Sequence, residues 1–330
     1  MTQEITEPDN KTKKPKTWVW LVVIVAIIII VAGIWYLVYS MSLNQKDDQN
    51  KDTEREISTE EYNWSTMDQG PYHDRISYAS AKSLTDWTSP GVTLAEHASV
   101  PDVIRKDDIL YIYFVDVSED GKPEQIGLIK SNGILDGGDQ WADKQIINID
   151  GLGNKVAVDP CPYLLEDGRI RLYYFDISKT KTEGVENNTI YSAISDDGMN
   201  FIEEEGHRFR YPAIFDPDVI KVGNTWRMYV GTDGQKVLSA TSADGLTFTY
   251  EGVALDQGSI PEVFYEDGTY YLFTGGIEIS TSTDGKNFTK TNSRFDSGGL
   301  TADPGVVKLK DDRTYFMVYK TNDSTLSPNN

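Results

Sequence analysis

The stretch DPDVIKVGNTWRMYVGTDGQKVLSATSADGLTF, residues 216–248, holds one complete copy of a pattern that recurs through most of this chain. Each copy opens with a proline-containing segment, continues into an aromatic strand, and in three cases ends in a polar turn before an aromatic residue. The five openings are residues 101–104, 159–162, 216–219, 261–264 and 303–306. The aromatic strands that follow are residues 110–114, 171–175, 226–230, 270–273 and 314–319.

The spacing of these copies indicates the fold class. Copies that recur at roughly 40–60 residues with strand patterning alone are typical of propeller blades. A repeat that cannot bury its own apolar face has to stack on further copies of itself. The sequence therefore predicts an all-β, five-bladed β-propeller. The predicted blades are residues 99–150, 157–208, 212–255, 258–296, and 301–325 combined with 75–97.

The two ends of the repeat region complement each other. Residues 76–80 alternate, residues 83–87 end in a turn and an aromatic residue, and a further short strand follows, so this region offers outer strands without inner ones. The last copy, at residues 301–325, has inner strands and stops before its outer ones. We expect the N-terminal strands to complete the last blade, which closes the ring and removes a free sheet edge.

The N-terminal region predicts a membrane anchor. Residues 18–39 are apolar and uncharged, and at about 1.5 Å per residue they are long enough for a hydrocarbon core of about 30 Å. Four lysines precede them, so residues 1–17 are predicted to be cytoplasmic and the rest extracellular. A cleaved signal peptide is the competing interpretation, but the apolar run is too long and lacks a convincing cleavage site. Residues 40–72 are predicted to be a disordered acidic stalk, and residues 73–330 the propeller.

Composition excludes several classes of function. The net charge is 31 − 52 = −21, which argues against nucleic acid as a partner. Cys161 is the only cysteine, so no internal disulfide can form, and its place between two prolines favours buried packing over a nucleophile. The chain has no phosphate-binding loop, zinc-peptidase motif, serine-hydrolase elbow or CxxC pair. The sequence leaves the oligomeric state open.

Acidic residues recur at the openings of the copies. Alignment on the turn after each inner strand makes Asp102, Asp218 and Glu262 equivalent, with Pro162 and Gly305 at the other two positions. Because inner strands line the central channel of a propeller, six carboxylates are predicted to ring one funnel. Close like charges raise some pKa values, as acid–base chemistry near neutral pH requires. The alternative is that a repeated Asp beside Pro only holds the backbone. The three further carboxylates are Asp159, Asp216 and Asp303.

Two residues that break the repeat are further candidates. His97 lies five residues before Asp102, and Arg210 lies just before the third inner strand, where its guanidinium could hold a substrate carboxylate. The alternative for each is an ordinary loop residue. Glu262 is also distinctive, because it is the only glutamate at its position in the repeat.

Residues 75–325 resemble the five-bladed propellers of the arabinanase, xylosidase, invertase and levansucrase superfamily, which includes glycoside hydrolase families 43 and 32. The resemblance rests on Asp-Pro at the inner strands, on residues 267–273, and on strand ends such as residues 83–87. It implies a carbohydrate substrate and an acid–base reaction by paired carboxylates. Such enzymes carry Asp, Asp and Glu on blades one, two and three. Here only Asp159 matches its family position, in an Asp-Pro pair on blade two.

The resemblance suggests Glu262 as the acid, Asp102 as the base, and Asp159 as the carboxylate that tunes the acid and orients substrate. His97, Asp216, Asp218, Asp303 and Arg210 are then candidates for substrate binding. No cofactor is required for this chemistry, although some relatives hold Ca²⁺ in the channel, and the oxygen-rich walls would suit that ion. The favoured function is a membrane-anchored extracellular glycoside hydrolase-like propeller. The alternative is a non-catalytic surface propeller that binds a glycan, a protein or a metal.

Overall fold

A computed structural model describes residues 62–132, 141–179, 187–310 and 313–323, all within the compact unit Ile57–Asn330. These residues form five mainly antiparallel sheets, and the only helices among them are short 3₁₀ turns at Trp64–Thr66, Pro71–His73 and Ile177–Lys179. The predicted five-bladed, all-β propeller is confirmed. The inner strands of blades one to five begin after His97, Val156, Ala213, Pro261 and Gly299.

The strands are numbered in chain order, so the first three belong to the last blade. These are β1 (Arg75–Ser83), β2 (Asp86–Thr88) and β3 (Thr93–Glu96). Blade one has β4 (Ala98–Lys106), β5 (Ile109–Asp116), β6 (Gln125–Lys130) and β7 (Gln145–Ile146). The sheet of blade two has β8 (Asn148–Asp150), β9 (Ala157–Leu164), β10 (Ile170–Asp176), β11 (Asn187–Ser195), β12 (Asn200–Glu203) and β13 (Phe209–Pro212).

The remaining blades have the simpler four-stranded pattern. Blade three has β14 (Ile214–Val222), β15 (Thr225–Thr232), β16 (Val237–Ser242) and β17 (Thr249–Leu255). Blade four has β18 (Glu262–Glu266), β19 (Thr269–Thr274), β20 (Glu278–Ser282) and β21 (Thr289–Arg294). Blade five begins with β22 (Leu300–Lys308) and β23 (Tyr315–Asn322), which pair with each other.

Blade five is closed by the N-terminal strands, as the sequence predicted. Strand β1 pairs antiparallel with β23 from Arg75↔Thr321 to Ala81↔Tyr315, and the sheet order is β2-β1-β23-β22. Ile76 and Ala79 on β1 are fully buried, so the strand also supplies apolar surface to the core. The ring is thus held together by pairing between the two ends of the repeat region.

The limits of blades one to three differ slightly from the prediction. Strand β8, which was assigned to blade one, pairs in parallel with β12 of blade two. Strand β13, at the predicted border with blade three, pairs with β11 of blade two. Connecting segments between blades therefore extend the sheet of blade two, which the repeat spacing cannot reveal.

The end of the predicted stalk is part of the folded unit. Tyr62 and Trp64 are 4% and 5% exposed, and the indole N–H of Trp64 donates to the carbonyl of Lys122 at 2.9 Å. The N–H of Gly121 donates to the carbonyl of Tyr62 at 2.8 Å. We call residues 62–74 the rim segment. Its short 3₁₀ turns have no strand or helix periodicity, so the sequence placed most of this segment in the stalk.

The membrane anchor lies outside the described part of the chain. Residues 1–17, the apolar run 18–39 and residues 40–61 of the stalk are not among the described residues. Within the residues that are described, no helix has the length and apolar character of a membrane span. The anchor stays a prediction from sequence.

The repeated Ser-x-Asp-Gly turns join one blade to the next. In the turn at 242–245, the hydroxyl of Ser242 accepts N–H bonds from Asp244 and Gly245, and the carbonyl of Gly245 accepts from the Tyr173 hydroxyl of blade two at 2.8 Å. The equivalent bonds run from Tyr113 to Gly198 and from Tyr229 to Gly285. The aromatic second strands and the polar turns are therefore both devices for packing blades together.

This packing predicts the cost of a methyl group at Gly245. Gly245 has φ +73°, and an added Cβ would lie 3.1 Å from the Tyr173 hydroxyl of blade two and 2.9 Å from the Trp226 ring of its own blade, whereas Gly223 has φ +60° and open space around it. We expect Gly223→Ala to cost about 1 kcal/mol of unfolding free energy through backbone strain alone. Gly245→Ala should cost roughly 1–3 kcal/mol more, because the blade interface is overpacked. Urea unfolding of both variants measures the difference, and equal costs would contradict the interface role.

Candidate active site

Each inner strand carries a proline flanked by residues that face the channel. The residue before this proline has positive φ in all five blades, between 46° and 57°. Four of the inner strands also show a register shift around this point, which marks a β-bulge that re-aims side chains. The residues before the proline are Val100, Asp159, Asp216, Ile260 and Asp303, and those after it are Asp102, Cys161, Asp218, Glu262 and Gly305.

This register corrects the sequence alignment in blade two. The residue equivalent to Asp102 and Glu262 is Cys161, whereas the sequence analysis assigned Pro162 to this position. Asp159 thus lies two residues before Cys161, just as Asp216 lies two residues before Asp218 in blade three. The sequence alignment was one residue out because it counted back from the following turn, and the bulge that sets the register is not visible in the residue pattern.

All six carboxylates line one central cavity of about 30 Å³, whose walls are completed mainly by the five prolines. A volume of this size admits about two water molecules, and a sugar ring is several times larger. We separate the carboxylates into the pre-proline group (Asp159, Asp216 and Asp303) and the post-proline group (Asp102, Asp218 and Glu262). The pre-proline group lies nearer the end at which the inner strands begin.

The post-proline group fastens neighbouring inner strands. Asp218 on β14 accepts the N–H of Val263 on β18 at 2.7 Å, and Glu262 on β18 accepts the N–H of Val306 on β22 at 2.8 Å. The ring is tightly packed here, since an added Cβ at Gly305 would lie 2.7 Å from the Cα of Asp102. Asp218 and Glu262 therefore have a structural role across blades, whereas Asp102 accepts the N–H of Val103 on its own strand.

Burial changes the proton affinity of the post-proline group. It raises the pKa of Asp218 to about 7, and it raises the pKa values of Asp102 and Glu262 well above their usual range, helped by the charge of Asp218. The hydrogen bond between Glu262 and Asp218 lowers the pKa of Asp218 and raises that of Glu262.

The pre-proline group combines an acid, a carboxylate and an ion pair. Burial raises the pKa of Asp159 to about 6, and burial with the charges of Asp159 and Asp303 raises that of Asp216 well above its usual range. The main-chain N–H of Asp216 donates to the carboxylate of Asp159 at 3.2 Å, and this bond lowers the pKa of Asp159. Asp303 pairs with the ammonium of Lys320 at 2.5 Å. This group thus places a carboxyl of strongly raised pKa beside other carboxylates, as acid–base chemistry needs.

Sequence reasoning missed Lys320 and Asp74. Lys320 lies on β23, opposite Ala302 of the inner strand, and its ammonium also lies 3.9 Å from the carboxylate of Asp74. The residue pattern of β23 does not indicate that Lys320 faces Asp303 and Asp74, because these partners lie elsewhere in the sequence. Residues 315–319 are all apolar or aromatic and all buried, so they offer no alternation that would indicate the direction of Lys320.

His97 and Arg210 lie away from the cavity. His97 stacks on Tyr72 with ring centroids 3.9 Å apart, and its Nδ1 is 2.6 Å from the carbonyl oxygen of Tyr72. It therefore holds the rim segment. Arg210 is exposed on β13, and neither residue is among those that line the cavity.

The position before the proline in blade one is apolar. The resemblance places an Asp of the catalytic set on the first blade ahead of the proline, and here this residue is Val100. The corresponding residue of blade three is Asp216, in place of the family's Glu. The chain thus keeps carboxylates at this position on blades two, three and five only.

A calcium ion does not match the donor atoms. Among the described residues, one set of possible ligand atoms comes within 4.8 Å, and it consists of Asp102, Cys161 and Asp218. Ca²⁺ takes about six to eight oxygen ligands, whereas this set includes a thiol whose pKa burial raises well above its usual value. Asp102 and Asp218 also accept main-chain N–H groups. We derive no step through a metal.

Comparison with known proteins supports the fold. No protein-family model and no curated protein matches the sequence. Among solved structures, the chain is similar to the Bombyx mori family 32 β-fructofuranosidase BmSUC1, with TM-score 0.54 and 16% identity over 82% of this chain and 62% of that one. A thermostable family-43 glycoside hydrolase gives TM-score 0.53 and 14% identity, covering 69% of this chain and 84% of that one.

A third similar structure is Zg3597, a family 117 glycoside hydrolase of Zobellia galactanivorans, with TM-score 0.50 and 13% identity over 80% of this chain and 90% of that one. At these identities the similarity establishes the five-bladed propeller shared with glycoside hydrolases. The chain spans only 62% of the length of BmSUC1.

Proposed function

We propose that this chain is a glycoside hydrolase-like propeller that acts on carbohydrate outside the cell, held at the membrane by the predicted helix at residues 18–39. The observation that carries the proposal is the pre-proline group: three buried carboxyl groups line one funnel, the pKa of Asp216 is raised well above its usual range by burial and by the charges of Asp159 and Asp303, and Asp303 pairs with Lys320. Glycosidic bond cleavage needs an acid to protonate the leaving oxygen and a second carboxylate as base or nucleophile. The fold shared with glycoside hydrolases agrees with this chemistry.

The proposed acid is Asp216, with Asp159 as the carboxylate that tunes it. Asp159 accepts the main-chain N–H of Asp216 at 3.2 Å, and its charge contributes to raising the pKa of Asp216. This keeps for Asp159 the role assigned from the resemblance. Glu262 and Asp102, the acid and base assigned from the resemblance, lie in the post-proline layer, one step further along the inner strands, where an added Cβ at Gly305 would lie only 2.7 Å from the Cα of Asp102.

The proposed base or nucleophile is Asp303. Blade one carries the apolar Val100 at this position, so it cannot supply a base or nucleophile. In a ring of five, blades one and five are both two blades away from blade three, which carries Asp216. Asp303 on blade five therefore takes the place across the funnel that a carboxylate on blade one would have. Because a sugar ring does not fit into the cavity, the substrate would bind at the funnel mouth and meet only the pre-proline group.

A non-catalytic carbohydrate-binding propeller is the second candidate. Two observations favour it: the apolar Val100 on blade one and the small volume of the cavity. In this case the carboxylates would serve to fasten the inner strands, as the post-proline group already does.

An aryl-glycoside panel tests the proposal. The purified full chain in detergent is assayed with arabinofuranosides, xylosides, fructofuranosides and galactosides, together with Asp216→Asn, Glu262→Gln and the exposed control Glu166→Gln. We expect Asp216→Asn to lose at least about a hundredfold in kcat, the scale of a missing general acid, and Glu262→Gln to lose much less. A larger loss in Glu262→Gln would return the acid to the post-proline group.

The panel also separates the two candidate functions. If the folded wild type turns over none of these substrates, while calorimetry detects binding of the corresponding oligosaccharides, the chain is a binding propeller. Failure of both assays across these sugars would remove carbohydrate as the ligand.

A further inference from the structure

Lys320 lies between two buried carboxylates that belong to different parts of the fold. Its ammonium is 2.5 Å from Asp303 in the funnel and 3.9 Å from Asp74 at the end of the rim segment. Asp303 and Asp74 are 3% and 6% exposed. The ammonium therefore bridges the funnel and the segment that leads from the predicted stalk into blade five.

Asp74 is fixed by residues of two different blades. One oxygen accepts the hydroxyl of Ser99 on β4 at 2.9 Å, and the other accepts the side-chain amide of Asn322 on β23 at 2.7 Å. The N–H of Ala98 donates to the Asp74 carbonyl. Asp74 thus occupies the junction between blades one and five, where the ring closes, and its carboxylate lies 3.9 Å from the ammonium of Lys320.

The other end of the rim segment is anchored independently on blade one. Trp64 bonds to Lys122, and the hydroxyl and N–H of Ser65 both donate to the carboxylate of Asp120. All these partners lie in the β5–β6 loop, at the end of the propeller where the inner strands begin. A displacement of the rim segment would therefore act on Asp74 and through it on Lys320.

We propose that Lys320 is a positioning residue that couples the rim segment to the funnel: Asp74 holds its ammonium, and the ammonium holds Asp303. The coupling itself is independent of the reaction, whereas its catalytic consequence rests on the proposed role of Asp303 as base. The rim segment would then regulate the site, because loosening it would release the carboxylate that the reaction needs.

The charges around Lys320 agree with this arrangement. The charged groups that face it are Asp303 on β22, Asp74 on the rim segment, Asp216 on β14 and Asp159 on β9. Burial alone would lower the pKa of Lys320, but the charges of Asp303 and Asp74 outweigh burial and raise it. In return the ammonium lowers the pKa values of Asp159 and Asp216. Lys320 therefore influences all three pre-proline carboxylates.

The test compares Lys320→Met, Lys320→Arg and the exposed control Lys290→Met in the full chain. The free energy of unfolding is measured by urea titration from pH 5 to pH 9. Without the ammonium, the pre-proline carboxyls keep their protons to higher pH, so the pH range in which stability falls should move up by about one unit. Lys320→Arg should restore the wild-type profile, and Lys290→Met should not move it. A Lys320→Met profile parallel to the wild type would overturn the proposal.

A double-mutant cycle with Asp74→Asn tests the link to the rim segment. We expect the effects of Asp74→Asn and Lys320→Met on the unfolding equilibrium constant to depart from independence by at least about threefold. Independent effects would overturn the coupling. If Lys320→Met does not fold, Lys320→Gln takes its place in both measurements. Coupling without any turnover of glycosides would leave this inference standing and remove the proposed reaction.

Discussion

A chain that begins at Ala98, and so lacks β1 to β3, is expected not to form a cooperative folded state. Strand β1 pairs with β23 over seven residue positions and places Ile76 and Ala79 in the core at 0% exposure. Without it, β23 would be an open edge strand and the core of blade five would be solvated. The lost burial and hydrogen bonding exceed the roughly 5–15 kcal/mol by which a domain of this kind is stable.

The matched control is a chain that begins at Ile57, where the compact unit starts. It retains the rim segment and the closing strands, so we expect a single cooperative urea transition and a monodisperse elution profile. The chain that begins at Ala98 should show neither. Equal unfolding midpoints for the two chains would mean that the ring does not depend on closure by the N-terminal strands.

The second large effect is a loss of stability as pH rises above 5. Burial raises the pKa of Asp159 to about 6 and that of Asp218 to about 7, whereas both groups have pKa values near 3.9 in an unfolded chain. The folded state therefore binds more protons than the unfolded state in this range, and stability falls with increasing pH. One unit for Asp159 and two for Asp218 between pH 5 and pH 7 amount to about 4 kcal/mol.

The opposite trend sets in at lower pH. Main-chain N–H donors in the repeated turns lower the pKa values of Asp197 and Asp284, so these groups stabilise the folded state when ionised and lose that contribution as pH falls below about 4. We therefore expect maximal stability near pH 4, close to the pKa values of these carboxyls in the unfolded chain. Asp218→Asn should make the decline above pH 5 shallower, because it removes one of five buried carboxyls with raised pKa values, whereas Glu166→Gln, on an exposed side chain, should leave it unchanged. A flat profile in the wild type would contradict the raised pKa values.

The sequence predicted the architecture well because the fold is a repetition. Five copies of one pattern specify five blades, and an incomplete copy at each end specifies how the ring closes. The convergence of six carboxylates on one funnel followed from the same symmetry, since equivalent positions in every blade meet at the channel. The sequence alignment put Pro162 at the position that Cys161 occupies in the structure, because a β-bulge changes the register of the strand without changing the residue pattern.

The parts of the site that break the symmetry were not predictable. Tyr62 and Trp64 belong to no repeat, and they pack on blade one through contacts to residues nearly 60 positions away. Lys320 and Asp74 meet only because the ring closes, and His97 looked like a site residue because its stacking partner Tyr72 lies 25 positions upstream. Contacts of this kind depend on chain closure, which local patterns do not encode.

By itself, the sequence determined the blade number, the closing strands and the identity of the carboxylates that face the funnel, because these depend on periodicity. The tertiary structure decided how the carboxylates divide into two layers and in which direction burial shifts their pKa values. It also decided that Lys320 stands beside Asp303, since burial, hydrogen bonding and charge act between residues that only the closed ring brings together.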